Sequence, residues 1–188
     1  MSEQGIPSRP APETTFGQPI GGIVQVAYVV EDLHQAMQDF TRRLNIGPWH
    51  YAETYEVQDA VYRGQATDMR MGLALGFSGH MCFELIHMVD DKPSVYRDIV
   101  ARRGYGFHHL GMATRSYDAD VERYRSMGYE VQFSGRTRRG IRGAYLDTSD
   151  HLPGMLELIE FNEQQDSFYG AMHQAALAWD GTDPFRKI

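Results

Sequence analysis

Four polar side chains stand in otherwise apolar stretches of the sequence, and together they could bind a divalent cation. They are Gln25 in "VQVAYVV", Glu84 in "FELIHM", His109 in "HHLGMAT" and Glu157 in "LELIEF". In a strand, Glu157 shares one face with Ile159 and Phe161, so its charge needs neutralisation, hydrogen bonds or a cation. Carboxylate and amide oxygens suit Mn, Mg or Fe(II), and imidazole also suits Zn, Co or Ni. The residues alone leave open a buried hydrogen-bonded network without metal.

Two segments of the chain start and end alike, which indicates an internal duplication. The stretches from Val24 and from His108 each predict an apolar strand, a capping Asp32 or Ser116, and a helix with apolar residues at helical spacing. Alternating stretches with turn signals follow, and both segments close on "ELI". The pattern predicts two βαβββ units related by an approximate two-fold. Gln25 and His109 would then be equivalent on the first strands, as Glu84 and Glu157 would be on the last.

The same pattern divides the chain into an arm, a paired domain and an extension. We predict a flexible N-terminal arm over 1–21, because this stretch is rich in Pro, Gly, Ser, Thr and Glu. The paired βαβββ domain is predicted over 22–161, with module one at 22–90, a linker helix at 91–104 and module two at 105–161. A C-terminal helical extension, 162–188, carries apolar residues at helical spacing. It could pack on the back of the sheet or on a second subunit.

Composition is typical of an ordinary globular protein. Hydrophobic residues make up 42% of the 188 positions, charged residues make up 23%, and the formal net charge is -7. This balance gives no reason to expect a nucleic-acid or membrane partner. The single cysteine, Cys82, excludes an intrachain disulfide, and the opening segment lacks the basic start and apolar run of a secretory signal. We therefore expect a cytoplasmic protein.

These motifs resemble the vicinal oxygen chelate superfamily, which includes glyoxalase I, methylmalonyl-CoA epimerase, extradiol dioxygenases and bleomycin-resistance proteins. The resemblance rests on "VQVAYVVEDL", "GFHHLGM" and "LELIE", and the connection "ELIHMVDDKPSVYRDIVARRGYGFHHLG" is similar to that of the methylmalonyl-CoA epimerase type. It implies an α+β fold in which two tandem βαβββ modules form a cupped, open mixed sheet. It also implies that Gln25, Glu84, His109 and Glu157 hold one divalent metal ion, a set similar to that of glyoxalase I.

For function, the resemblance implies a metal-dependent isomerase, epimerase or lyase. Such an enzyme abstracts a proton next to a metal-bound carbonyl through an enolate or enediolate. Glu157 is the expected base and Glu84 its counterpart, and the substrate would be a small-molecule carbonyl or an acyl thioester. Glutathione is not expected, because glyoxalase I has an Arg where this chain has Val29. An Fe(II) oxygenase and a metal-free binding protein of the resistance type are the alternatives.

The substrate-binding candidates are one tyrosine and two arginines. Tyr145 in "GAYLDT" could line the cup. Arg136 and Arg142, in the basic run "GRTRRGIRG", could hold a phosphate or carboxylate, although a solvated hairpin tip would look the same. Strand alternation predicts that His108 points away from His109. Because relatives commonly pair, we expect a homodimer.

Overall fold

The computed structural model describes residues 13–188, which form four helices and eleven strands. The helices are α1 (Leu33–Leu44), α2 (Val95–Arg103), α3 (Tyr117–Ser126) and α4 (Glu163–Leu177). The strands are β1 (Ile23–Val29), β2 (Trp49–Glu56), β3 (Gln58–Tyr62), β4 (Gln65–Ala66), β5 (Arg70–Ser78), β6 (Met81–Met88), β7 (Gly106–Thr114), β8 (Val131–Arg136), β9 (Arg142–Leu146), β10 (Met155–Glu160) and β11 (Phe185–Lys187). None of the helices in this part of the chain is long and apolar enough to cross a membrane.

All eleven strands belong to one mixed sheet, in the order β11-β2-β5-β6-β1-β7-β10-β9-β8-β3-β4. Two similar groups of four strands meet in its middle, where β1 pairs antiparallel with β7. Within each group the first strand pairs parallel with the last, as β1 does with β6 and β7 with β10. Helix α1 lies in the first group and α3 in the second, and α2 connects them. The predicted α+β fold of paired modules is confirmed.

Helices α1 and α3 each cover part of one face of this sheet. Leu33 and Met37 of α1 pack with Leu85 of β6 in one apolar cluster. Tyr117 and Val121 of α3 pack against a second cluster, which includes Leu146, Leu156 and Leu158. Leu156 and Leu158 alternate with Glu157 along β10, so burial of the leucines under α3 directs Glu157 to the other face. That face forms the inside of the cup.

One hairpin leaves the module from which it comes. Strands β3 and β4 follow β2 in sequence, yet β3 pairs antiparallel with β8 of the second module. The crossing places Val57 and Ala60 against Gly135, where a side chain on the glycine would clash with Val57 Cγ1. The simple prediction of strands confined to each module is therefore incomplete, because β3 and β4 complete the wall of the second module.

Residues 13–21 of the predicted flexible arm are docked on the domain, and residues 1–12 lie outside the described part of the chain. Phe16 is buried, with 1% of its surface exposed, and packs against Phe161 and Tyr169. The Thr15 N–H donates to Asp166 Oδ1 at 2.8 Å, so this segment is tied to the first turns of α4. Burial of one large aromatic ring explains why a segment of polar composition is nevertheless docked.

The C-terminal extension packs on the inside of the cup. Helix α4 contacts β5, and Gln165, Phe168 and Tyr169 of α4 line the same pocket as the candidate metal ligands. This position is the inner face of the sheet and not its back, which was one of the two expected positions. After the helix the chain adds an unpredicted strand, β11, parallel to β2.

Candidate metal centre

The two-fold arrangement of the central strands brings the four predicted ligands together. They lie on β1, β6, β7 and β10, and they are Gln25, Glu84, His109 and Glu157. Ala27 pairs with Glu84 on one side and with His109 on the other, while Gly111 pairs with Gln25 and Glu157. Each polar residue therefore has a small residue beside it on the neighbouring strand. This alternation leaves space above the sheet in which the four side chains can converge.

The polar atoms of the quartet lie close to one another. Gln25 Nε2 donates to Glu84 Oε2 at 2.9 Å and to Glu157 Oε2 at 3.4 Å. His109 Nε2 lies 3.2 Å from Glu157 Oε2 and 3.5 Å from Glu84 Oε2. Ligand atoms about 2.1 Å from one ion stand about 3.0 to 3.4 Å apart in octahedral or tetrahedral geometry, so the distances from His109 Nε2 to the two carboxylate oxygens are close to those around a single divalent cation. All four groups come from one chain.

The charge balance of the cluster also favours a cation. Burial, followed by the nearby charge of Glu157, raises the pKa of Glu84 well above its ordinary value. Among residues 13–188, His109 is the one basic side chain within 4.0 Å of either carboxylate. One buried and one half-buried carboxylate without a Lys or Arg partner among these residues are costly when both are ionised, and a divalent ion would offset that cost.

The His108 ring lies beside His109, and the prediction that it points away is wrong. The pairing of β1 with β7 shifts by one residue between His109 and Phe107, which makes His108 the extra residue of a β-bulge. His108 Nδ1 is 2.9 Å from His109 Nδ1, and His108 Nε2 is 3.3 Å from the Val95 carbonyl oxygen. Burial lowers the pKa of His108 well below its usual range, which keeps the ring neutral.

The hydrogen bonds of this histidine pair favour the tautomer of His109 that carries its proton on Nδ1. When His108 Nε2–H donates to the Val95 carbonyl, His108 Nδ1 can accept a hydrogen bond from His109 Nδ1–H. His109 Nε2 then carries no proton, and its lone pair faces the space beside the two carboxylates, where a cation would bind. Ligating histidines are commonly oriented by such a bond on the other ring nitrogen, so His108 completes the support of His109.

Two glycines make room for the cluster. A Cβ atom on Gly111 would lie 2.9 Å from Gln25 Cβ and 2.9 Å from Ile159 Cδ1. A Cβ atom on Gly143, in β9, would lie 3.0 Å from Glu157 Oε1. Both positions therefore need glycine for close approach, one to the strand that carries Gln25 and the other to a ligand carboxylate.

Tyr169 of α4 is a contact of the site that the sequence analysis did not identify. Its hydroxyl group donates to Gln25 Oε1 at 2.6 Å, and both residues are buried. The ring packs among Phe16, Phe77 and Phe161. No motif or spacing in the sequence connects this tyrosine to the first strand, so long-range packing was needed to find it.

Three members of the quartet, Gln25, Glu84 and Glu157, form the floor of a pocket of about 110 Å³, and His109 lies fully buried beside them. Most of the pocket wall is apolar, and its members include Val57, Met71, Leu73, Leu75, Phe133, Ile141, Ile159 and Phe168. Tyr145 also lines it, with its ring edge-on to His109 at 4.9 Å between centroids. The Tyr96 hydroxyl donates to that of Tyr145 at 3.2 Å. Burial raises the pKa of both tyrosines well above the ordinary value, so both stay protonated.

The arginines of the basic run differ in their surroundings. The Arg142 guanidinium binds Glu160 at 2.8 Å and Asp118 at 2.7 Å, over the ring of Tyr117. Arg142 also lines the pocket, but both acids engage its charge, and its role in substrate binding stays a prediction. Arg136 lines the pocket and lies 3.6 Å from Asp59.

Arg139 is a stronger candidate at the pocket than Arg142. It lies in the same lining, with its guanidinium 3.5 Å from the centroid of the Phe168 ring. Within residues 13–188 it forms no ion pair closer than 4.0 Å, in contrast to Arg142. A guanidinium that stacks on an aromatic ring keeps its N–H groups available for an anion.

With this geometry in place, comparison with known proteins identifies the class. The chain belongs to the glyoxalase/bleomycin resistance protein/dioxygenase superfamily, whose family model matches residues 24–145. The predicted resemblance is confirmed. No protein of curated function matches the sequence.

Solved structures with a similar fold include methylmalonyl-CoA epimerases. The enzyme from Mycobacterium tuberculosis is 21% identical with a TM-score of 0.58, over 79% of this chain and 93% of its own. The hypothetical protein BH1468 from Bacillus halodurans C-125 is 16% identical with a TM-score of 0.57, over 76% and 96%. A Streptomyces coelicolor methylmalonyl-CoA epimerase in complex with 2-nitronate-propionyl-CoA is 19% identical with a TM-score of 0.53, over 77% and 96%. At such identities the likeness concerns the fold.

Proposed function

We propose that the protein is a divalent-metal-dependent isomerase, epimerase or lyase that removes a proton next to a carbonyl group of its substrate. The observation that carries this proposal is the convergence of Glu84, His109 and Glu157 at the base of an apolar pocket, with ligand atoms all within 4.8 Å of one another. The chain belongs to this superfamily, and its structural neighbours include epimerases; both findings support the same reaction class.

The bound ion and the protein would divide the work between them. A divalent cation at this site supplies Lewis acidity, which polarises the substrate carbonyl and acidifies the adjacent C–H. Glu157 takes the proton, because its carboxylate borders the pocket and, among residues 13–188, Gln25 and His109 contact its Oε2 atom while Oε1 accepts no hydrogen bond. Glu84 faces it across the cluster and can return a proton from the opposite side. Inversion of configuration by a two-base route uses one such group on each side of the carbon.

Tyr145 provides a hydrogen bond to the substrate. Its oxygen accepts from Tyr96, and among the described residues no acceptor takes its own hydroxyl proton. That proton is available to an oxygen atom on which negative charge grows as the C–H bond breaks. The apolar wall excludes water, which strengthens this hydrogen bond and protects the carbanionic species from side reactions.

The mouth of the pocket favours a substrate with an anionic group. Arg136 and Arg139 both line it, and Arg139 has no acidic partner within 4.0 Å in residues 13–188. We assign them, in preference to Arg142, to the carboxylate or phosphate of an acyl thioester or a related carbonyl compound. Structural neighbours described with methylmalonyl-CoA and with 2-nitronate-propionyl-CoA give a reason to begin the substrate search with acyl-CoA thioesters.

Proton exchange with solvent tests the proposal directly. The full-length protein, loaded with one divalent ion, would be incubated in D₂O with a panel of α-substituted acyl-CoA thioesters and α-hydroxy ketones. Mass spectrometry would follow deuterium at the α-carbon. We expect metal-dependent incorporation into one substrate class, and an oxygen electrode would reveal an oxygenase instead.

Matched variants assign the carboxylates. Glu157→Gln should reduce exchange at least about 100-fold, since general base catalysis commonly contributes that much. Glu122→Gln, on the exposed side of α3, should leave the rate unchanged. Failure to bind a divalent ion near stoichiometry would refute the proposed function, and so would exchange that survives in Glu157→Gln and Glu84→Gln alike.

The setting of the enzyme is also a proposal. We infer a cytoplasmic location, supported by Cys82, which is a buried free thiol suited to a reducing compartment. We also infer a homodimer, although one chain supplies all four ligands of its site. Size-exclusion chromatography with light scattering would measure the oligomeric state.

A further inference from the structure

The Tyr169 hydroxyl group decides which end of the Gln25 amide faces the candidate metal centre. Its proton is donated to Gln25 Oε1 at 2.6 Å, and the two side chains are buried, with 4% and 2% of their residue surface exposed. Within residues 13–188, Gln25 is the one hydrogen-bond partner of this hydroxyl. The carbonyl oxygen of the amide is therefore held toward α4.

The other end of the amide faces the carboxylates. Gln25 Nε2 donates to Glu84 Oε2 at 2.9 Å and lies 3.3 Å from His109 Nε2. An amide nitrogen carries two N–H groups and no available lone pair, so it cannot bind a cation, whereas the amide oxygen can. The observed orientation thus directs N–H groups into the space that a cation would share with Glu84, His109 and Glu157.

We propose that Tyr169 is a latch, meaning that it holds Gln25 in this donor orientation and must release Oε1 before the amide oxygen can join the metal centre. The proposal rests on the metal-dependent function proposed above and adds a residue of the C-terminal helix that opposes metal binding. It makes Tyr169 a positioning residue, which acts through Gln25.

Turning the Gln25 amide over costs free energy, because one hydrogen-bond donor loses its acceptor. When the amide turns over, Nε2 can donate to the Tyr169 oxygen, but the Tyr169 proton loses its acceptor. The ring cannot swing away to find another, because Phe16, Phe77 and Phe161 surround it. A buried donor left without an acceptor shifts the equilibrium between the two amide orientations about 5- to 100-fold toward the observed one.

Removing the hydroxyl group should therefore strengthen metal binding. In Tyr169→Phe the amide lacks one hydrogen-bond partner in both orientations, so the difference between them largely disappears. We expect the full-length Phe variant to bind Co²⁺ about 5- to 100-fold more tightly than the wild type, as measured by calorimetry. The visible absorption of bound Co²⁺ should report oxygen ligation by Gln25. Unchanged or weaker binding would overturn the latch, because a merely structural role of Tyr169 predicts weaker binding.

Two controls separate the latch from other effects. In a Gln25→Ala background, Tyr169→Phe should leave the Co²⁺ affinity unchanged, since the hydroxyl acts only through the amide. Tyr124→Phe removes a hydroxyl from the opposite side of the sheet and should also have no effect. If neither the wild type nor Tyr169→Phe binds Co²⁺, the metal-dependent function fails and the latch with it. If the wild type binds and the Phe variant gains nothing, the latch alone is refuted.

Discussion

Gly143→Ala should weaken metal binding without weakening the fold. The new Cβ atom would lie 3.0 Å from Glu157 Oε1, whereas ordinary contacts begin at 3.4 Å. The carboxylate must therefore move by about 0.4 Å, which exceeds the roughly 0.2 Å tolerance of metal–ligand distances. We expect an affinity about ten-fold lower for Mn²⁺ or Co²⁺, equal to about 1.4 kcal/mol.

The thermal stability of the metal-free protein should respond differently. The displaced atom is the end of a flexible side chain, so the free energy of unfolding should change by less than about 0.5 kcal/mol, or about 2 °C in Tm. Gly111→Ala is the contrast, because its Cβ atom would lie 2.9 Å from Gln25 Cβ, which cannot move without its strand. Overpacking of this kind costs about 1–3 kcal/mol, or about 2–12 °C.

Calorimetric metal titrations and thermal unfolding of the metal-free proteins would measure both quantities. The expected outcome is a low metal affinity for both variants and a low Tm for Gly111→Ala alone. Wild-type affinity in Gly143→Ala would show that Glu157 does not need its observed position to bind the ion. A fall in Tm equal to that of Gly111→Ala would show that the contact with Glu157 is not the one that the new side chain disturbs.

Three further predictions concern Glu84 and the histidine that supports His109. Because burial raises the pKa of Glu84, metal binding at a pH below that raised pKa should release a proton, and metal affinity should increase with pH. Calorimetric titrations in buffers of different ionisation enthalpy would count the released protons, and Glu84→Gln should abolish the release that Glu84 contributes. Because the pKa of Glu84 is higher in the folded protein than its unfolded value of 4.5, protonated Glu84 stabilises the metal-free fold at pH values below 4.5. This stability is lost as the pH rises from 4.5 through the folded pKa, so the Tm of the metal-free protein should fall over that range. In Glu84→Gln this fall should be absent. His108→Phe removes the group that orients His109 and should lower metal affinity about 10- to 100-fold, with wild-type affinity contradicting the tautomer assignment.

The sequence was sufficient for those parts of the site that depend on local pattern. Strand alternation in "FELIHM" and "LELIEF" places one glutamate of each module on the inner face, and the repeated strand–helix start makes Gln25 and His109 equivalent. Such periodicity survives in any packing of the strands.

Features that depend on long-range contacts escaped the same reasoning. The bulge at His108 is one extra residue in a paired strand, and alternation alone cannot reveal it. Phe16 looked like part of a polar arm because composition does not show that a ring fits a cavity. Helix α4 had a predictable apolar stripe, but the surface it covers, and hence the contact of Tyr169 with Gln25, depends on tertiary packing.

The crossing of β3 to the second module has a consequence for how a substrate reaches the centre. The two modules are joined twice, through β1 with β7 in the middle of the sheet and through β3 with β8 near its edge, where Val57 and Phe133 line the pocket. A hinge between the modules would have to break one of those ladders. Helix α4 is held to the sheet by side-chain contacts instead of a strand ladder, so a shift of α4, which carries Gln165, Phe168 and Tyr169 into the pocket, would change the shape of the pocket while both ladders stay intact.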